Sequence, residues 1–252
     1  MILRPSPAVA RDSAPVPVWE SIAATQRAPG EAELVPQASH AVLAGVLAQN
    51  FSPAAVPGLD DAVIQGIALH DIGWTLLDYE ILLGRRPPIT FLDETPERFV
   101  RAWTASIDAA ADAAPVAGLL VSRHFSRLAE FRQAEQRDTP EGVETIRGFL
   151  ASESRRQDAL AAKQSRSVEQ VEALVDVLQF CDVVSLFLCC GAQRAATLPE
   201  LNGRRYEVRL QAGAYVFTPT LLAEPVEGSF PVHRVHPGQP AAERRDVPLL
   251  LR

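Results

Sequence analysis

Apolar positions recur at helical spacing through most of the middle of this chain. SHAVLAGVLAQNF places Val42, Leu43, Val46 and Leu47 on one stripe, with Ser39 as N-cap and His40 in the first turn. In DDAVIQGIALHDIGW, Asp60 or Asp61 caps a second helix whose buried face is Val63, Ile64 and Ile67. Gly73 is its natural stop, and His70-Asp71 lies in its last turn. Residues 84 to 98, rich in proline and charge, read as a loop. WTASIDAAADAAPVAGLLVSRHFSRLAEF predicts two helices divided near Pro115, the second carrying Leu120, His124, Leu128 and Phe131 on one face. EGVETIRGFLASESRRQDALAAKQ predicts a long surface helix with solvated charges. SVEQVEALVDVLQFCDVVSLFLCCG predicts the most hydrophobic helix, with Val171, Leu174, Val175, Leu178, Asp182, Ser185 and Leu186 toward one side.

The flanks follow a different rule. MILR reads as a short strand, and the Pro/Ala-rich residues 5 to 30 as an irregular surface segment. After residue 204, YEVRLQ, YVFTPTLL and PVHRVH are short, β-branched and alternating, which predicts a small C-terminal sheet that MILR could join. His233 and His236, three apart in such a segment, do not share a strand face and read as surface residues. The expected fold class is therefore mainly α: a helical bundle over residues 31–200, a small β appendage over 201–252 packed on the same domain, and an N-terminal strand and irregular segment over 1–30.

Composition narrows the picture. At 252 residues the chain can bury a core that needs no disulfides. Its three cysteines, Cys181, Cys189 and Cys190, lie within one apolar stretch and offer no disulfide framework, which suits a reducing cytoplasm. A net charge of -7 argues against nucleic acid as a partner and favours a small-molecule substrate. The longest apolar run, residues 177 to 193, carries Asp182 and falls short of the roughly 20 residues that span a bilayer, so no membrane partner is expected. The oligomeric state stays open, a homo-oligomer included.

Within that run Asp182 is the only charged residue between Asp176 and Arg194. A buried carboxylate without a partner costs several kcal/mol, so it must meet a backbone N–H, a serine, an arginine or a cation. His70-Asp71 sets an imidazole and a carboxylate side by side at a helix end, where Gly73 frees the backbone to turn both toward one point. His124 points inward from its helix, either as a hydrogen-bonded core residue or as part of a site. Arg123 and Arg127, with Arg85 and Arg86 in the loop, could bind an anionic substrate group or stand as solvated surface charges. Trp74 and Asp78 could line a substrate pocket, one by stacking and the other as an acceptor; Trp74 fits a core equally well.

The joint pattern, His40 in one helix, His70-Asp71 ending the next and Asp182 far downstream, resembles the HD-domain superfamily of helical metal-dependent phosphohydrolases. The runs LVPQASHAVLAGVLAQNF, IALHDIGWTLLD, GRRPPITF, LLVSRHFSRL and LQFCDVVSLFLC are similar to an uncharacterised bacterial branch of it, grouped as a domain-of-unknown-function family. The resemblance covers residues 34 to about 195 and implies an HD-like helical bundle with a divalent metal, Mn, Fe, Zn or Mg, held by His40, His70, Asp71 and Asp182. It implies hydrolysis of a small-molecule phosphate ester or phosphoanhydride by metal-activated water, with Asp71 as general base and His124 as a further ligand or as polariser of the leaving group. Two alternatives keep the fold and change the role: an iron-dependent oxygenase, or a non-catalytic metal- or ligand-binding module. Dinuclear members generally use two additional histidines before the last Asp, whereas this chain offers only His124, which favours a single metal or a second one completed by a further carboxylate.

Overall fold

The computed structural model describes residues 1–5, 14–26, 32–234 and 242–252, and these residues form two layers. Eight α-helices form one: α1 Val18–Gln26, α2 Gln37–Gln49, α3 Asp61–Leu69, α4 Thr75–Leu82, α5 Pro96–Ala113, α6 Pro115–Glu135, α7 Pro140–Ala161 and α8 Val168–Cys190. Eight strands form the other: β1 Ile2–Pro5, β2 Val16–Pro17, β3 Ala32–Val35, β4 Ala196–Thr197, β5 Glu207–Gln211, β6 Ala214–Thr218, β7 Val226–Arg234 and β8 Glu243–Leu251.

The strands pair as one mixed, curled half-barrel sheet in the order β1-β3-β7-β8-β6-β5-β4-β2. This overturns the expected mainly α helical bundle with a small C-terminal β appendage. Helix accounts for 56% of the structure, but the sheet is a substantial layer fed from both ends of the chain. The physical reason is length and distance. β2 and β4 have two residues each, and β1 and β3 four, too short to display alternation. Their partners are remote: Ile2 pairs with Val35, Leu34 with His233 and Tyr215 with Leu251. MILR does join the sheet, next to a strand lying in a span expected to be helical. α1 occupies part of the expected irregular segment, burying Val18, Ser21, Ile22 and Gln26. His236 lies outside the described residues, while His233 sits half-buried in β7.

The helices follow their apolar stripes with local exceptions. Asp60 caps α3 by accepting from Val63 N at 3.0 Å, and Ser167 and Gln170 form a reciprocal capping box on α8. Ser39 is inside α2, whose N-cap is Pro36, and Val42 faces solvent. Phe131 is likewise exposed, because α6 has left the core by its last turns. α7 is largely solvated as expected, yet it buries Glu153.

α8 is apolar on nearly every side because it is covered on nearly every side. It packs against α2, α6, α1 and β1. By length and composition it is long enough to cross a membrane, but 78% of its most apolar window is buried inside the protein. Its C-terminus is tied to the sheet by Arg4, whose Nη1 donates to Leu188 O and Cys189 O, both at 3.0 Å. Leu188 O also accepts from Gly191 N at 3.1 Å, and both carbonyls sit at the negative end of the helix, so a guanidinium suits them. Gly191 ends α8 at φ 65°, where a Cβ would also strike the Arg4 guanidinium. Gln26 adds a second tie, exchanging two 2.8 Å hydrogen bonds with the backbone of Leu3 and donating to Cys190 Sγ.

Candidate metal centre

Each donor reaches the centre from a different part of the helical layer. His40 turns inward from the first turn of α2 and His124 from the middle of α6, and Asp182 sits on the buried length of α8. His70 is the C-cap of α3, followed by Asp71 at the mouth of a 3-10 turn, Ile72–Trp74. The turn that carries Asp71 presses against α5: Gly73 N donates to Ser106 Oγ at 2.9 Å, and a Cβ at position 73 would lie 2.1 Å from Ala102 O. Only glycine allows that approach. Gly73 therefore acts through close packing rather than as a helix stop.

The three imidazoles are at most 1% exposed, and Asp71 and Asp182 are each 7% exposed. His70 Nε2 lies 3.5 Å from Asp182 Oδ1, and His124 Nε2 lies 3.7 Å from the other oxygen, Oδ2. His40 Nε2 stands 2.8 Å from Asp71 Oδ2, which is 4.0 Å from His70 Nε2. His40, His70 and Asp182 each present one donor atom within 4.8 Å of the others, and this buried group could hold a metal ion. Donors around a cation with bonds of roughly 2.0–2.2 Å sit about 3–3.5 Å apart, close to the spacings seen here.

Hydrogen bonds on the far side of the rings decide what the near side offers. Ile67 O can only accept, so the 2.7 Å contact from His70 Nδ1 places a proton on Nδ1. Ser185 gives its one hydroxyl proton to Asp182 O at 2.8 Å, so its oxygen accepts from His40 Nδ1 at 3.0 Å. In its neutral form each ring would direct an Nε2 lone pair at a carboxylate oxygen, and His70 Nε2 has no hydrogen-bond partner. Two acceptors facing each other require a cation between them, either a proton or a metal.

Without a metal, protons take that place. Burial works to lower the pKa of His70, but the carboxylates of Asp71 and Asp182 outweigh it and bring it to about 9. Burial would raise Asp182, yet its interaction with the charged His70 ring, whose Nε2 is 3.5 Å from Oδ1, holds it at about 2. His124, governed by burial, falls to about 4 and stays neutral, its Nδ1 without a partner. The centre is thus a buried imidazolium–carboxylate pair beside a neutral imidazole.

A family model described as a protein of unknown function, DUF3891, matches residues 24–236. The chain belongs to this family. No curated protein and no solved structure matches it. The matched span of DUF3891 contains every residue of the cluster, from His40 to Asp182.

The remaining candidates fall elsewhere. Trp74 is 2% exposed and meets Phe99 edge-on at 5.4 Å, within an aromatic core that includes Trp103, Phe125 and Phe149. Asp78 is equally buried: Oδ2 accepts from Gln37 N at 2.6 Å and Oδ1 lies 3.2 Å from Met1 N. Arg123 is paired with Glu172 and Gln157, and Arg86 with Glu94 at 3.0 Å, whereas Arg85 is exposed. Arg127 is held by Asp176, Gln179 and Glu172, and its charge helps to lower the pKa of His124. Of the four expected pocket residues, Arg127 and Asp78 interact with the centre through their charges, Arg127 with His124 and Asp78 with Asp71. Ser185 was legible as a neighbour of Asp182 on one helix face; its bond to His40 was not.

Proposed function

We propose that the protein is a metal-dependent hydrolase of a small-molecule phosphate ester or phosphoanhydride. One observation carries the metal part: both His40 and His70 have their Nδ1 protons committed to other acceptors, leaving Nε2 lone pairs aimed at carboxylates. His40, His70 and Asp182 would hold the ion, with Asp71 as a fourth ligand. A divalent cation bound there would acidify a water and offset charge on phosphoryl oxygens. Nitrogen and carboxylate donors suit Mn, Fe, Zn or Mg.

The hydrolytic part rests on three supports. The carboxyl side chains of Asp71 and Asp182 keep 10% and 11% exposure, so the centre meets solvent on their side. Asp71, beside that opening, would take a proton from water, and neutral His124 would donate a hydrogen bond once substrate is present. The His and His-Asp spacing resembles the HD-domain superfamily. Three buried free thiols suit a reducing, cytoplasmic setting.

Phosphate release from a panel of nucleotides and sugar phosphates, after loading with Mn²⁺, tests the reading. Turnover by the wild type that is lost in Asp71→Asn supports it; metal uptake without turnover of any phosphate compound contradicts it. The burial of all three imidazoles favours a second reading, a non-catalytic metal-stabilised module, and that result would select it.

A further inference from the structure

We infer that Ser185 is a positioning residue that makes His40 bind the metal through Nε2; this rests on the metal centre proposed above. The two histidines reach the same tautomer by different means. His70 gives its Nδ1 proton to a backbone carbonyl, Ile67 O, an acceptor that no substitution removes. His40 gives its own to the Oγ of Ser185, at 3.0 Å and fully buried. That hydroxyl has one proton, and it is already donated to Asp182 O at 2.8 Å, so Ser185 meets His40 only as an acceptor.

The result is a directed chain, from His40 Nδ1–H to Ser185 Oγ and from Ser185 Oγ–H to the carbonyl of Asp182. It links α2 to the residue of α8 that itself bears a donor carboxylate. Without the hydroxyl, the acceptor that remains for His40 Nδ1 among the described residues is Asp182 Oδ1, 3.9 Å away. The ring could then turn its proton inward, or swing toward Asp182 and compete with the ion for that carboxylate. Either change removes a donor from the centre. Hydrogen-bonding partners of this kind typically change metal affinity by about 10- to 100-fold.

Zinc is the probe, being redox-silent and compatible with NMR. Its dissociation constant is measured by competition with a chelating dye for the wild type, Ser185→Ala and Ser185→Thr. Long-range ¹H–¹⁵N spectra of the zinc-loaded proteins report which nitrogen of His40 carries the proton. Alanine is a good helix former and smaller than serine, so Ser185→Ala is expected to fold, and its melting curve checks this.

The expected result is about 10- to 100-fold weaker zinc binding in Ser185→Ala, near-wild-type binding in Ser185→Thr, and a His40 Nδ1–H signal seen in the wild type and the threonine variant but lost in alanine. Equal affinity of wild type and Ser185→Ala with the Nδ1–H signal intact would overturn the role of Ser185 while leaving the metal centre standing. Failure of the wild type to take up zinc would overturn the centre itself, and the role of Ser185 with it.

Discussion

The helical layer and the sheet divide the molecule's work unequally. Among the described residues, every donor of the candidate centre comes from α2, α6, α8 or the chain leaving α3, and no strand contributes one. The sheet instead secures the end of one helix that does: Arg4 of β1 closes the C-terminus of α8, while Leu3 of the same strand is held by Gln26 of α1. A site of polar groups buried in an apolar layer needs rigid supports, because each donor is useful only within a fraction of an ångström of its place. The comparison assigns binding to one layer and stability to both.

Substitutions can separate those roles. In the metal-free protein Asp182→Ala removes the partner of a buried imidazolium and is expected to cost about 3–5 kcal/mol at neutral pH, read by urea denaturation. A loss below about 1 kcal/mol would mean that His70 is not charged in the fold. Gly73→Ala forces a methyl against Ala102 O, with an expected cost of about 3 kcal/mol and a displaced Asp71. Stability and metal affinity should fall together in that variant, and an unchanged melting temperature would show that the turn can yield. Arg4→Ala, acting from the sheet, is expected to cost about 2 kcal/mol through the uncapped α8 while leaving metal affinity within a few-fold. A large loss of affinity there would erase the division between layers.

A pH profile of the metal-free protein reads the charges of the centre without any substitution. His70, raised from 6.5 to about 9, contributes stability that is complete below pH 6.5 and is lost as pH rises through 9. His124, lowered from 6.5 to about 4, contributes stability present above pH 6.5 and lost as pH falls toward 4. Asp182, held at about 2, adds a loss only below its ordinary value of 3.8. Melting temperature should therefore peak near pH 6.5. A profile rising steadily to pH 9 would contradict the protonated state of His70.

The same contrast explains what the chain discloses as text. Helix periodicity is local, so the division at Pro115, the Asp60 cap and the burial of Val63, Ile67, Leu120 and Leu178 were all readable. Asp182 stood out because a lone charge in an apolar helix demands a partner, and His40 and His70 are indeed beside it. The sheet was underestimated because its register joins residues such as Leu34 and His233, which no local window connects. The pocket reading of Trp74 and Asp78 rests on their side-chain chemistry and their place just after His70-Asp71. In the fold, the 3-10 turn after Asp71 sends both into the core. Gly73 was visible, but the backbone of α5 that forbids a side chain there was not.

The most direct test of the metal centre is the metal content of protein purified without chelators, then reconstituted and measured by elemental analysis beside His70→Ala. The account predicts about one equivalent of a divalent metal per chain in the wild type, matching its single set of donors, and loss of that metal in the variant. A wild type that takes up no metal, or a His70→Ala protein that keeps all of it, would contradict the account.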